Sequence, residues 1–416
     1  VDHNQLTMEI MKKVADKHDL VCLLHEKPFE GINGSGKHNN WSMITDDGVN
    51  LLDPGKTPSE NIQFLVFLMA VIKAVDEYAD LLRISVASAG NDHRLGANEA
   101  PPAVVSIFLG DELTEVLKSI ENDTYFTSHG AVQMDIGATV LPHFVKDNTD
   151  RNRTSPFAFT GNKFEFRMLG SAASVANPNI VLNTAVAEAL DQFAKELDGV
   201  APEDMEHAVH ELIKRAIKKH KRVIFNGNGY TDEWIEEAKK RGLYNLKSTP
   251  DALPMWIAQK NIDLFTKHSI FTSEELHSRY EIWLENYSKT INIESNTMVE
   301  MVQKDLLPSV MSYIEEIAST ASLKASVVPG ITCESETALI TKLSELQDAM
   351  TKGLEKLKSD TAKARATEDV LENAKLYQAE VLEDMEELRK SADAAETLIP
   401  DDLLPYPTYG KLLFYI

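Results

Sequence analysis

The chain has 416 residues and a formal net charge of −23, from 42 Lys plus Arg against 65 Asp plus Glu. Hydrophobic residues are 43% and charged residues 26%, the balance of a protein with a buried core, which excludes a collagen, a disordered tail or a disulfide-stapled miniprotein. The acidic balance argues against a nucleic-acid partner, because phosphate backbones are held by a basic face, and the length predicts two or three structural units.

Leu6, Ile10, Met11 and Val14 step at helical spacing and predict an amphipathic helix over 5–18. The opening residues carry no basic leader and no apolar h-region, so they do not read as a signal peptide, and the chain is expected to begin inside a larger reading frame. Residues 20–25 predict a short strand, with Cys22 in the run Leu20–Leu24 as a small core residue. Cys22 and Cys333 cannot build a disulfide framework, and a reducing, cytoplasmic setting is expected, with an organellar one left open. A Gly- and Asn-rich loop covers Glu30 to Asn40, and Trp41–Ile44 predicts a second strand. Residues 59–87 read as apolar helix. The longest apolar stretch, Phe64 to Val75, is interrupted by Lys73 and is too short to span a bilayer, so no membrane partner is expected.

Residues 89–102 read as a polar loop, 103–119 as helix and 121–163 as an irregular insertion. Phe164-Glu-Phe-Arg-Met168 alternates like a strand with unlike faces, which puts Glu165 and Arg167 on one side. A helix follows over 177–198, with Asn177-Pro178 at its start. From 200 onward the pattern is almost all helical. In 334–396, Leu339, Leu343, Leu346, Met350, Leu354 and Leu357, then Leu371, Ala374, Val381, Met385 and Leu388, predict an antiparallel helical hairpin or short coiled coil that serves packing. The expected units are 1–200, 201–333 and 334–416.

The stretch Lys27 to Ser42 reads Lys-Pro-Phe-Glu-Gly-Ile-Asn-Gly-Ser-Gly-Lys-His-Asn-Asn-Trp-Ser. Gly31, Gly36 and Lys37 have the GxxxxGK spacing of a P-loop. Against that reading, His38 stands where Ser or Thr would reach Mg²⁺, and Asn39-Asn40-Trp41 is a poor start for the helix that seats phosphate. A Gly-rich loop also lets backbone approach a small substrate closely, and a following His can offer a neutral nitrogen to a divalent metal. Alone, His38 reads as a hydrogen-bonded structural histidine; within this spacing the metal role is favoured.

Lys27, Pro28, Phe29, Asn33, Gly34, Ser35, Gly36, His38 and Ser42 together resemble the ATP-binding signature of glutamine synthetases. Leu24-His-Glu-Lys-Pro-Phe29, Gly36-Lys-His-Asn-Asn-Trp41, Arg94-Leu-Gly-Ala-Asn-Glu-Ala-Pro-Pro102 and the ending Pro405-Tyr-Pro-Thr-Tyr409 resemble the type III members. The resemblance implies His38 on metal, Asn33 and Gly34 on glutamate and Ser42 near the nucleotide, with Lys27 as a loop anchor. Asp92–Pro101 is similar to the segment in which an Arg binds the glutamate carboxylate and a flap Glu follows, which implies those roles for Arg94 and Glu99. An Arg fork suits a carboxylate, and a loop Glu can exclude water and take a proton from ammonium. Asn152-Arg153 resembles the pair whose Arg faces the transferred phosphate. Phe164-Glu-Phe-Arg167 resembles the Glu-x-Arg strand, implying Glu165 on metal and Arg167 on substrate or phosphate. The structural alternatives are a buried Glu165–Arg167 pair and solvated loop charges at Arg94 and Glu99.

The sequence departs from that pattern at Asn40, where a second His is usual, and at Lys163, where an Arg often meets the nucleotide phosphates. Thr154-Ser-Pro-Phe-Ala158 lacks a third Arg, and the interval from Arg94 to Glu99 is one residue short. The resemblance implies an α+β fold: a catalytic-domain portion with an antiparallel sheet and packed helices, then a mostly helical region. It also implies Mg²⁺ or Mn²⁺, ATP as co-substrate, L-glutamate and ammonia joined through γ-glutamyl phosphate, and a homo-oligomer, a dodecamer of two hexameric rings. Further metal carboxylates and a β-grasp domain would precede Val1, so the 416 residues are expected to be a catalytically incomplete portion. The alternatives are a glutamate–amine ligase of the same superfamily and a non-catalytic scaffold or regulator with the same fold. Arg94, Glu99, Arg153, Glu165 and Arg167 argue against the scaffold.

Overall fold

Six strands lie among the described residues: β1 (Gly36–Trp41), β2 (Ile107–Phe108), β3 (Gln133–Met134), β4 (Phe144–Val145), β5 (Phe157–Phe159) and β6 (Phe164–Gly170). The computed structural model describes residues 2–24, 36–96, 100–124, 133–134, 144–145 and 154–413. The chain divides into two compact units, one formed by Glu26–Tyr280 and the other by Val1–His25 with Glu281–Ile416.

In the first unit a four-stranded sheet has the order β1–β6–β5–β2, and β3 and β4 form a separate antiparallel ribbon. The β1–β6 and β5–β6 pairs are antiparallel and β2–β5 is parallel, so the α+β sheet is mixed rather than antiparallel throughout. Register puts Phe157 against Phe166 and Phe159 against Phe164, and these four rings line one face of the sheet. Phe157 and Phe164 stack at 4.7 Å, Phe159 meets Phe164 edge-on at 5.2 Å, and Phe64 from the helix Ile62–Glu77 stands 5.9 Å from Phe159. Burying each such side chain contributes about 1.5–3 kcal/mol, so this aromatic layer anchors the sheet to its helices.

The polar strand β1 is tied to the same side by the helix Ala176–Leu197. Asn39 Nδ2 donates to Asn179 Oδ1 at 2.7 Å and Trp41 Nε1 donates to Asn183 Oδ1 at 2.8 Å. The spacing is two on the strand and four on the helix, the natural repeats of the two elements. Every residue of β6 is buried, so its alternation separates an aromatic face from a charged one, both covered.

Several local expectations shift. The first helix is Asp2–Asp16. Val21–Leu24 takes no regular structure: Leu23 and Leu24 are 48% and 42% exposed, and Cys22 is half-buried rather than core. The expected strand at Trp41–Ile44 lies earlier, at β1, because pairing with β6 and the two Asn bonds outweigh the weak strand preference of Lys and Asn. Residues 59–87 hold two helices, Ile62–Glu77 and Ala79–Ile84, and the 89–102 stretch opens with the short helix Ala89–Asp92. Residues 103–119 hold β2 before a helix, Asp111–Glu121, with Gly110 at φ 80° making the turn between them.

The second unit is helical. The predicted hairpin is present: Glu334–Arg365 buries Leu343, Leu346, Met350, Leu354 and Leu357 and packs against Leu382–Glu396 and Leu307–Val327. Asp369 caps the return, accepting from Leu371 N at 3.0 Å and Glu372 N at 2.9 Å. No helix among the described residues is long and apolar enough to cross a membrane.

Candidate active site

The pairing of β1 with β6 carries an irregularity where the chemistry is expected. Lys37 faces Leu169 and Asn39 faces Phe166, so β6 fits two residues, Arg167 and Met168, opposite the single His38. Such a bulge re-aims side chains and takes backbone groups out of the ladder. Beyond it Asn40 faces Glu165, which places His38, Asn40, Glu165 and Arg167 on the face opposite the aromatic layer.

The Glu165 carboxylate accepts from Arg167 through one oxygen, Oε2, at 3.2 Å from Nε and 3.0 Å from Nη2. His38 Nδ1 is 3.7 Å from the same oxygen. The buried Glu165–Arg167 pair is therefore present, and His38 joins it. The side chains are 54% exposed for His38, 11% for Glu165 and 4% for Arg167, so the histidine is the open end of the trio. Among the described residues Oε1 of Glu165 takes no hydrogen bond.

Two ligands about 2.1 Å from one ion can stand up to about 4.2 Å apart, so the His38–Glu165 separation suits a shared Mg²⁺ or Mn²⁺. No cluster of three or more His, Cys, Asp or Glu that could hold a metal occurs among the described residues. His38 and Glu165 thus fit as part of a donor set.

Arg94 is 6% exposed and held at the other side of the bulge. Its Nε donates to Asn91 Oδ1 at 3.0 Å and its Nη2 to the Met168 carbonyl at 2.8 Å. Both of these acceptors are neutral, so they orient the guanidinium without cancelling its charge. Asn91 is itself buried, donating to the Val86 carbonyl at 2.8 Å and to Met168 at 2.9 Å. Behind it Arg83 pairs with Asp92 at 2.8 Å, and Asp92 accepts from Thr249 N at 2.6 Å. Burial pushes the Asp92 carboxyl up from its ordinary value, with Arg83 opposing that push.

Ser42 and Lys163 sit at the far end of the β1–β6 pair, where Trp41 faces Phe164. The Ser42 hydroxyl bonds Asn50 Oδ1 and the Asn162 carbonyl, both at 2.9 Å, and so fixes the turn before Lys163. Lys27, Pro28, Phe29, Asn33, Gly34, Ser35, Glu99 and Arg153 lie outside the described residues. The structure thus brings His38, Glu165 and Arg167 together, and it seats Arg94 beside the same bulge. Sequence reasoning missed Asn91, Asn179 and Asn183. The only cues were a buried-type Asn after the cap residue Ser88 and an i, i+4 Asn pair on the Asn-Pro helix.

The P-loop alternative fails on this geometry. Gly36 and Lys37 lie on a strand, not before a helix, and Lys37 Nζ is spent on the Ala173 carbonyl at 2.7 Å.

The profile described as glutamine synthetase, catalytic domain, matches residues 1–105, and the glutamine synthetase C-terminal domain profile matches 208–324. The chain is 57% identical to the glutamine synthetase of Butyrivibrio fibrisolvens over 419 residues, covering 100% of this chain. It is 46% identical to the type-3 glutamine synthetase of Dictyostelium discoideum and 38% identical to the glutamine synthetase of Bacteroides fragilis, each over 99% of this chain. The chain belongs to the glutamine synthetase family. It spans 59%, 57% and 58% of the lengths of those three relatives. Gly36, His38 and Arg94 fall inside the catalytic-domain match; Glu165 and Arg167 fall between the two matches.

Proposed function

We propose that these residues form part of the active site of a type III glutamine synthetase, which joins ammonia to L-glutamate at the expense of ATP. The observation that carries the reading is the order of groups along the β1–β6 pair. A buried, oriented guanidinium (Arg94) stands at one end, a His–Glu pair with metal-donor chemistry in the middle, and Ser42 with Lys163 at the other end. Glutamate, metal and nucleotide phosphates would follow in that order over the six residues of β1, roughly 17 Å of strand.

In this reading Arg94 holds the glutamate carboxylate as a fork, with Asn33 and Gly34 closing over the substrate. Arg167 fixes the rotamer of Glu165. The side-chain carboxylate of glutamate attacks the γ-phosphorus of ATP and ADP leaves, giving γ-glutamyl phosphate; Arg153 and Lys163 neutralise charge on the phosphates. Glu99 takes a proton from ammonium, ammonia attacks the acyl carbon, and phosphate departs. Mg²⁺ or Mn²⁺ held by His38 and Glu165, with donors from elsewhere in the full protein, would supply further neutralisation of phosphate charge. The family relation supports a homo-oligomer, which we take to be a dodecamer of two hexameric rings. The two free cysteines accord with a reducing, cytoplasmic setting.

The test is phosphate release from ATP by the full-length parent protein with Mg²⁺ and glutamate, with and without ammonium. Release that needs both substrates supports the reading. Release that needs another amine in place of ammonium would move the assignment to a glutamate–amine ligase, and no release under any combination would end it.

A further inference from the structure

The turn Asn226-Gly-Asn-Gly229 interrupts the helices beyond residue 200 and is held from both sides. Before it, Ile224 bridges Ile107 of β2 in parallel, and Phe225 N donates to the Ile107 carbonyl at 2.8 Å. Asn226 ties the turn to the start of the helix Asp111–Glu121. Its Oδ1 accepts from Leu109 N at 3.1 Å and Gly110 N at 3.3 Å, and its Nδ2 donates to the Gly110 carbonyl at 3.3 Å and to Thr114 Oγ1 at 2.8 Å. After it, Thr231 caps the helix Asp232–Lys240, accepting from Trp234 N at 3.3 Å, and the buried Trp234 stacks on Phe225 at 3.7 Å. A turn pinned at both ends by bonds and a ring stack presents its backbone at a fixed place.

Gly229 uses that rigidity. It is buried, its N–H donates to Thr154 Oγ1 at 2.7 Å, and a Cβ on it would lie 2.9 Å from the Thr154 carbonyl oxygen and 3.4 Å from Pro102 Cδ. Only glycine lets the turn approach Thr154 so closely. Thr154 directly follows Arg153, the residue assigned to the transferred phosphate. Consecutive Cα atoms are about 3.8 Å apart, so holding Thr154 limits where Arg153 can stand. The contact is separate from the one that orients Arg94, which is held by Asn91 and the Met168 carbonyl. Gly229 also lies in the stretch matched by the C-terminal domain profile, outside the catalytic-domain match. We propose, resting on the ligase reading, that Gly229, set by Asn226, is a positioning residue for phosphoryl transfer: through Thr154 it fixes the arm that brings Arg153 to the phosphate.

The test is steady-state kinetics of the full-length parent protein carrying Thr154→Val, Thr154→Ser or Gly229→Ala, with folding confirmed by far-UV circular dichroism. Thr154→Val keeps the shape and removes the acceptor, whereas Thr154→Ser keeps the acceptor. The expected result is a kcat lowered about tenfold to a hundredfold in Thr154→Val and Gly229→Ala, a glutamate KM within about twofold of the wild type, and a kcat within about threefold of it in Thr154→Ser. The double variant should lose no more than the worse single one, since both break the same contact. Amide exchange at Gly229, which needs no turnover, should quicken by at least about tenfold in Thr154→Val. A contact that serves the fold alone would lower the melting temperature and leave kcat unchanged. Wild-type kcat in Thr154→Val, Thr154→Ser as damaging as Thr154→Val, or unchanged exchange at Gly229 would overturn the proposal and leave the ligase reading standing, provided that the wild type releases phosphate. No release by the wild type ends both.

Discussion

The Nη1 atom of Arg94 stands 2.8 Å from the place a Cβ would occupy on Gly36, and the Leu169 carbonyl is 3.2 Å from the same place. The glycine is required by this approach. Any side chain there must push the guanidinium or the strand, and Arg94 is the part that can move. Gly36→Ala in the full-length protein is therefore expected to raise the KM for glutamate and lower kcat/KM by about tenfold to a hundredfold, since small misplacements of binding groups are that costly. Steady-state kinetics at varied glutamate checks this; an unchanged KM would show that Arg94 does not hold the substrate.

Asn91 has the complementary role. It accepts from Arg94 and donates to two buried carbonyls. Asn91→Leu would strip all three bonds and is expected to cost about 1–3 kcal/mol of stability, together with a raised glutamate KM. Arg83→Met, which removes the pair to Asp92 further back, should lower stability with a smaller effect on KM. Thermal melts beside kinetics separate the two.

The candidate site was legible where spacing alone brings its residues together. His38, Glu165 and Arg167 could be read because a Gly-rich loop fixes one register and strand alternation fixes the other. Strand β1 was hidden, because Lys37, Asn39 and Asn40 have little intrinsic strand preference. Its stability comes from β6 and from Asn179 and Asn183, about 140 residues away. The bulge opposite His38 has no sequence signature at all. In the helical unit, by contrast, the packing period is the sequence period, so Leu343, Leu346, Met350, Leu354 and Leu357 announced their burial. Leu20–Leu24 misled because an apolar run makes a strand only when a neighbour pairs with it.

That hairpin gives a direct stability test. Leu357 is fully buried, and a Cβ on Gly353 would come within 3.1 Å of Leu388 Cδ1 on the returning helix. Leu357→Ala is expected to cost about 2–5 kcal/mol, and Gly353→Leu to destabilise by at least about 1–3 kcal/mol through overpacking. Denaturant melts followed by circular dichroism measure both.

A carboxylate network joins the helix Ala176–Leu197 to Gln259–Lys267. Burial alone would raise the Glu188 carboxyl, but hydrogen bonds from Lys267, Gln192 and His268 outweigh it and hold the pKa below its ordinary value of 4.5. Lys195 and Lys267 bring Asp191 down from 3.8 to about 2. The unfolded chain takes up these protons at higher pH than the folded one. The stabilisation is therefore present above about pH 4.5 and is lost as pH falls toward about 2. Between pH 6 and pH 3 the melting temperature of the wild type should fall further than that of Glu188→Gln; parallel curves would contradict this.

Mn²⁺ binding to the full-length protein, followed by electron paramagnetic resonance, decides whether His38 and Glu165 form a metal site. Saturable binding that weakens by at least about tenfold in both His38→Ala and Glu165→Gln, and survives in Lys163→Gln, is the predicted result. Mn²⁺ affinity that is the same in the wild type and in both ligand variants would contradict it, leaving Glu165 as the structural partner of Arg167.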